Sequence, residues 1–526
     1  MTKTNSDAPW TAERTAELLR RASLSSLGAT WGASNLKRLN EECGVVGVFD
    51  PVGLAGGRPA SARAAAGLHA LQHRGQEAAG LAAFDGARIR AERHWGLVSD
   101  VFSDAARLGA LPGASAIGHT RYSTLGHHDA RNIQPLSAET AGGGLAIAHN
   151  GHLTNGETLR AAYEAKGRLF QSTTDSELFL HAAAEASERN PIERFANGLR
   201  ALEGAFAVVG LIGGTLIGAR DPIGIRPLSI GRLEGGYALA SETAALDLMG
   251  AQYVREVRPG EMVAIDGDGL RSIPFAEGPA RARVCAFELI YFSRPDSLLG
   301  GRSVYQFRKR LGAELAAEAP VDADFVTPVP DTGAPAALGF SQALGAPLEY
   351  GLTRNDYAGR TFIEPDPDMR ARRVREKHAA NSALLKGRRV ALIDDSLVRG
   401  VTARRVVEAV RAAGATEVHL RIACPPIRHP CYYGIDTPDA EELMAARRTP
   451  AEIAEEIGAD SLAFLSIDGL YRAYGEKAGR GERPALTDHC FTGDYPTPLT
   501  DLSRREAAFP APHCAANAAA KETERP

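Results

Sequence analysis

Short apolar runs closed by glycines or polar clusters dominate the first half of the chain. Cys43–Phe49, Leu145–Ala148, Ala205–Ile212 and Thr215–Ala219 have strand length and strand composition, so they are read as β-strands. Ser61–Leu71 and Ser176–Ala184 carry helical spacing instead. Strands and helices gathered into separate blocks predict a layered α+β domain over residues 43–275 rather than a βαβ repeat. From residue 281 to about 475 the grammar changes. Phe325–Val329, Arg389–Ile393 and Glu417–Ile422 are aliphatic runs separated by helical stretches, which predicts a parallel sheet covered on both faces. Residues 1 to about 36 are polar, with one short helix around Thr11–Leu24. The segment 476–526 turns rich in Ala, Glu, Arg and Pro, and is expected to be disordered after about Pro498.

A length of 526 residues requires more than one core. The formal net charge of −4 gives no support to coating a nucleic acid. No apolar run reaches the ~18 residues of a membrane span. Asp7, Glu13 and Glu17 argue against an organellar transit peptide. Six cysteines are too few for a disulfide scaffold in a chain of this size, and are read as thiols of a reducing cytoplasm.

Cys43 opens the first strand. Alone it is best read as a small buried hydrophobe. Three ordered segments change that reading: His73-Arg74-Gly75-Gln76-Glu77, Gly118-His119-Thr120-Arg121-Tyr122-Ser123-Thr124 and His149-Asn150-Gly151-His152. With Thr174-Asp175-Ser176-Glu177, they resemble the class II glutamine amidotransferases, which are N-terminal-nucleophile hydrolases of αββα fold. The resemblance implies that residues 1–42 are a prosegment whose removal makes Cys43 the first residue. Its own α-amine, with a pKa of ~7.7–8.0, then serves as the base for a thiol of pKa ~8.5. It also implies Asn150 and Gly151 as the oxyanion hole, Arg121 on the glutamine carboxylate and Asp175 on its ammonium. Arg74, Gly75 and Thr124 complete the glutamine pocket. Without the resemblance, Arg121 is a surface ion pair and Asp175 a helix cap.

A second constellation follows the strand Arg389–Ile393: Asp394-Asp395-Ser396-Leu397-Val398-Arg399-Gly400-Val401-Thr402, then a helix through Ala412. Paired acids at the end of a parallel strand mark the ligand crevice of an open α/β sheet, and the amides of the next turn suit an anion. The segment resembles the phosphoribosyl-pyrophosphate signature of type I phosphoribosyltransferases. That implies ribose and Mg²⁺ contacts from Asp394 and Asp395, and phosphate contacts from Ser396, Val398, Arg399, Gly400 and Thr402. Asp331-Thr332-Gly333 resembles the pyrophosphate turn, with Thr332 also near Mg²⁺. Val401 and Ala403 depart from the pattern, standing where hydroxyl residues are usual. Thr353–Lys377, with Arg354, Arg360, Arg370, Arg373 and Lys377, resembles a lid over the sugar phosphate, although a solvated face is its plain reading.

The two halves in this order, with Asp221–Leu228, Ser241–Thr243 and Glu288–Ser297, resemble the amidophosphoribosyltransferase family. The resemblance implies glutamine hydrolysis, internal transfer of ammonia and formation of 5-phosphoribosylamine, the entry to purine synthesis. It further implies inhibition by purine nucleotides and a homotetramer. One branch of the family carries a [4Fe–4S] cluster on four cysteines. Cys285, Cys431 and Cys490 match three positions, whereas Thr487 stands at the fourth, with Cys424 or His489 as substitutes. Cys514 falls in the tail. Two rivals stay open at this point. One is a sugar-phosphate aminating amidotransferase, which would lack the Asp394–Thr402 loop. The other is a non-catalytic, RNA-binding phosphoribosyltransferase fold.

Overall fold

The computed structural model describes residues 11–26, 43–122, 129–140, 143–279, 281–354, 378–437 and 439–508. Thr124, the arginines and lysine from Arg360 to Lys377, and Cys514 lie outside these residues.

Two antiparallel sheets form the middle of the first half. One has seven strands, in the order Gln252–Glu256, Ser229–Leu233, Gly236–Ala240, Gly44–Phe49, Ser115–Arg121, Ala78–Phe84 and Ile89–Trp95. The other has six: Gly269–Pro274, Glu261–Asp266, Thr215–Arg220, Gly204–Ile212, Gly143–Leu153 and Leu136–Thr140. Gly44–Phe49 is buried on both faces, which is why its sequence is an unbroken apolar run. Its side chains alternate as a strand must. Val46 and Val48 join the core beneath the helix Ala60–Ala70, while Val45 joins Ile117, Ala148, Val209 and Leu239 between the sheets. Leu178–Glu185 and Pro191–Gly198 cover the far side of the second sheet. The layers are therefore helix, sheet, sheet, helix, as the sequence predicts.

The expected N-terminal helix is present as Ala12–Ser26. In the uncleaved chain, Ala16 and Leu19 are buried in the outer helical core with Leu68 and Phe102. Only the tertiary structure reveals that, because a single apolar stripe names no partner.

The second half is a four-stranded parallel sheet, in the order Phe325–Pro328, Arg389–Asp394, Glu417–Ile422 and Ser461–Phe464. Ala334–Leu344, Val401–Ala412 and Pro450–Ile457 connect the strands. Val401–Ala412 buries Ala403, Val406, Val407 and Val410, an i, i+3, i+4, i+7 stripe. Ala403 thus belongs to the packed face of the helix.

The tail departs from expectation. Thr500–Ala508 is a helix rather than a disordered stretch. Its Asp501 carboxylate accepts from the amides of Glu157 (2.9 Å) and Thr158 (3.0 Å) at the start of the helix Gly156–Ala165. That helix has no cap from its own Asn155 side chain, so Asp501 caps it from 344 residues away. Composition alone cannot register such a long-range partner. Asp501→Ala should lower stability by about 0.5–2 kcal/mol, the usual worth of a cap, read as a fall in the thermal unfolding midpoint.

Candidate functional site

Two cavities sit on the two halves. The first, of about 390 Å³, is lined by Cys43, Arg121, Tyr122, Asn132, Gln134, His149, Gly151, His152 and the turn Thr174–Ser176. Cys43 stands at the start of its strand, its thiol 3.9 Å from the Tyr122 carbonyl. Arg74 is buried behind it. Its guanidinium holds the Cys43 carbonyl (3.3 Å), Glu242 (2.6 Å) and Glu288 (2.5 Å), so it positions the nucleophile's backbone. Gly75 is fixed by Gln72, whose amide donates to its carbonyl at 2.5 Å. Arg121 ends its strand, almost fully buried, with Nη1 donating to the Asp129 carbonyl at 3.4 Å.

Asn150 and Gly151 lie on the long strand opposite Ala207 and Phe206. Asn150 is fully buried, yet neither its amide nitrogen nor its oxygen has a hydrogen-bond partner. An unsatisfied buried amide costs roughly 1–3 kcal/mol, which is tolerable where a ligand completes it. Gly151 has φ +133°, and a Cβ there would lie 2.0 Å from the Ala205 carbonyl oxygen, so only glycine fits.

Asp175 receives the Leu153 amide (2.9 Å) and His152 Nδ1 (3.1 Å). Burial alone would raise its pKa, but the hydrogen bond and charge of His152 hold it well below the carboxylate range. The pull is mutual: burial works against His152, yet Asp175 raises its pKa. Asp175 is not the cap of its turn. Thr174 fills that role, its hydroxyl accepting from the Ser176 amide at 3.3 Å, because the Asp175 carboxylate is turned toward the pocket wall.

Sequence reasoning gave no role to the histidines flanking Asn150-Gly151. His149 is buried and pushed down to about 4 by that burial, so it is neutral, with Nδ1 3.1 Å from the Ser176 hydroxyl. Gln134 ties the group together, accepting from the His149 amide (2.7 Å) and donating to Ser176 (3.0 Å). The motif His149-Asn150-Gly151-His152 was the available signal, but its pairings depend on a turn far away in sequence.

The second cavity, of about 460 Å³, is lined by Tyr291 and the run Asp394–Ala403. Both acids are buried at the end of their strand. Asp394 accepts from the Asp395 amide (3.0 Å), and Asp395 Oδ1 accepts from Ser396 (2.7 Å). Asp395 Oδ2 and the hydroxyl of Thr332, in the turn after Phe325–Pro328, are buried with no hydrogen-bond partner. Gly333 begins the helix Ala334–Leu344, and Gly400 begins Val401–Ala412. Val398, Arg399 and Thr402 line the cavity, and the Arg399 side chain also pairs with Glu442 at 2.6 Å. Asp331 is tied to Arg354 at 2.7 Å.

One segment touches both sites, which the sequence did not disclose. The π-helical turn Glu288–Phe292 sends Glu288 to Arg74, behind Cys43, and Tyr291 to the second cavity. Arg308 anchors it through the carbonyls of Leu289 (2.9 Å) and Ser293 (2.7 Å).

The four-cysteine cluster of one branch of the family lacks its fourth thiol here, as Thr487 suggests. Thr487 is buried, and its hydroxyl is committed to the Arg283 carbonyl at 2.6 Å. Cys424 lies elsewhere, beneath Asp394 and Asp395, with its thiol on the Pro425 carbonyl at 3.3 Å. Cys431, His489 and Cys490 do converge, with ligand atoms all within 4.8 Å of one another. Among the described residues, no helix is long and apolar enough to cross a membrane.

A thiol beside an open amide and a strand-end acid pair in one chain define a glutamine amidotransferase joined to a phosphoribosyltransferase. The comparisons agree. A family model described as a glutamine amidotransferase domain matches residues 119–248. The chain is 52% identical to an amidophosphoribosyltransferase of Rhizobium etli, over 88% of this chain and 93% of that protein. A Bacillus subtilis amidophosphoribosyltransferase is 45% identical, over 89% of this chain and 96% of its own length. The solved B. subtilis glutamine phosphoribosylpyrophosphate amidotransferase, complexed with ADP and GMP, superposes with a TM-score of 0.81 at 44% identity, covering 87% of this chain and 98% of that one. The chain belongs to the amidophosphoribosyltransferase family. It is a glycosyltransferase with glutamine amidotransferase activity, acting at the first step of purine biosynthesis.

Proposed function

We propose that Cys43, exposed as the N-terminal residue by removal of residues 1–42, hydrolyses glutamine within a unit spanning residues 43–275. The ammonia then attacks C1 of phosphoribosyl pyrophosphate bound to the unit spanning residues 281–475. The observation that carries this reading is the buried, unpartnered Asn150 amide in the strand beside the Cys43 pocket. It suits the tetrahedral oxyanion, with the Gly151 amide as the second donor.

The freed α-amine takes the thiol proton as sulfur bonds to the carboxamide carbon. The same proton then goes to the departing ammonia, and water releases glutamate from the thioester. Arg121 suits the substrate carboxylate, and Asp175, held ionised by His152, suits its ammonium. Arg74 and Gly75 support the nucleophile from behind.

In the second unit, Asp394 and Asp395 bind the ribose hydroxyls, and the amides from Ser396 to Thr402 hold the 5′-phosphate. The unpartnered oxygens of Asp395 and Thr332 fit a hard, oxygen-seeking ion, so these two with Asp394 would hold Mg²⁺. When bound, that ion neutralises charge on the departing pyrophosphate. Asp331 and Gly333 present the turn that faces the pyrophosphate. Purine nucleotides, named on the B. subtilis structure as ADP and GMP, are the expected regulators. A cytoplasmic homotetramer is the expected assembly.

Two measurements test the glutaminase half. The intact mass of active enzyme should lack residues 1–42; a full-length active chain would contradict the α-amine mechanism. Asn150→Ala should lower the glutaminase kcat by about 10²–10³ with a small change in KM, the signature of a lost oxyanion donor.

A further inference from the structure

We propose that Cys431, His489 and Cys490 form a site for a single tetrahedral zinc-class ion, in place of a four-cysteine iron–sulfur cluster whose fourth thiolate this chain lacks. The four-cysteine form of that cluster places a separate thiolate on each iron, whereas Thr487 has no thiol and its hydroxyl is already engaged. A single ion asks for something different: ligand atoms that converge on one point. Around zinc, with bonds of about 2.0–2.3 Å, tetrahedral ligand atoms stand about 3.5–3.8 Å apart. Here the three ligand atoms all lie within 4.8 Å of one another, with His489 Nε2 3.2 Å from Cys490 Sγ. Closing onto an ion therefore requires shifts of about 1 Å or less, set by those bond lengths.

The surroundings suit a metal. His489 and Cys490 are 1% exposed. The Tyr433 amide donates to Cys431 Sγ at 3.3 Å, the outer-layer contact that orients a ligating thiolate. The rings of Tyr433 and Tyr495 flank the imidazole, with centroids 4.9 and 5.2 Å away, and keep water out. Cys285, opposite Thr487 in the short parallel pair, is an electrostatic neighbour of Cys490. Two thiolates with an imidazole favour zinc over Mg²⁺ or Ca²⁺ on softness alone.

The site bears on function through its loop. Three residues after Cys431, Gly434 has φ +111°, and a Cβ there would lie 3.0 Å from the Gly151 carbonyl carbon. An ion at Cys431 would pin the loop that abuts the oxyanion-hole strand. The metal assignment itself does not depend on the glutaminase reading.

The test uses the full chain, stripped with a chelator and titrated with Zn²⁺, then with Co²⁺ as a spectroscopic probe. One equivalent per chain is expected, with the intense visible bands of tetrahedral cobalt–thiolate. Zinc should also raise the thermal midpoint. Cys431→Ser and His489→Asn should each weaken zinc binding at least about tenfold, in line with loss of a ligand or its support. If the cysteine variant does not fold, the histidine variant, which leaves both thiols in place, decides. Iron and sulfide at four per chain, no retained zinc, or unchanged zinc affinity in a soluble variant would overturn the proposal.

Discussion

Cys43→Ala is expected to lower glutamine-dependent synthesis by at least about 10⁴-fold, because a removed nucleophile leaves only the catalysis of the remaining pocket. Free ammonia should still support phosphoribosylamine formation at close to the normal rate. The reasoning is spatial: Cys43 lines the first cavity, and the Asp394–Ala403 run lines the second. Measuring pyrophosphate release with glutamine and then with ammonium salts separates the two activities. Comparable loss with both nitrogen sources would remove the two-site reading. Ammonia release from glutamine in the alanine variant would remove Cys43 as nucleophile.

Asp395→Asn is expected to produce the complementary pattern. Pyrophosphate release should fall on the order of 10²–10³ with either nitrogen source, as several kcal/mol of charge stabilisation around the metal and ribose is lost. Glutamine hydrolysis without phosphoribosyl pyrophosphate should persist. Asp395 Oδ2 is buried without a hydrogen-bond partner, so its charge is held ready for a cation or a hydroxyl donor. Asparagine keeps the volume but replaces an acceptor-only group with one that carries a donor. Isothermal titration with phosphoribosyl pyrophosphate and Mg²⁺ provides the direct check, and unchanged affinity together with unchanged turnover would sink the assignment. Asp394→Asn should behave similarly, since Asp394 ends the strand that Asp395 directly follows.

The sugar-phosphate aminating alternative lacks the Asp394–Thr402 loop, and that loop lines a cavity here. The RNA-binding alternative loses its ground because relatives of nearly full length are amidophosphoribosyltransferases.

Several features were legible in the residues. The strand Glu417–Ile422 and the helix end at Ala412 agree with the expected bounds. The buried strand Gly44–Phe49 and the strand-end position of Asp394 follow from local pattern, because burial on both faces writes an apolar run and a parallel strand ends where polar ligand contacts begin. The ordered motifs around Arg121, Asn150-Gly151 and Asp175 announced one pocket.

Contacts between residues distant in sequence were decided only by the tertiary structure. Asp501 caps a helix that begins at Gly156, so a tail that is polar by composition is nevertheless ordered. Glu288 and Tyr291 on one turn reach separate cavities. His489, beside the substituted Thr487, converges with Cys431 and Cys490. Local periodicity fixes which residues face a core, since it depends on neighbours a turn or a pleat away. It cannot fix which distant residue supplies the missing hydrogen bond or ligand, because that depends on how separate elements are brought together in the fold.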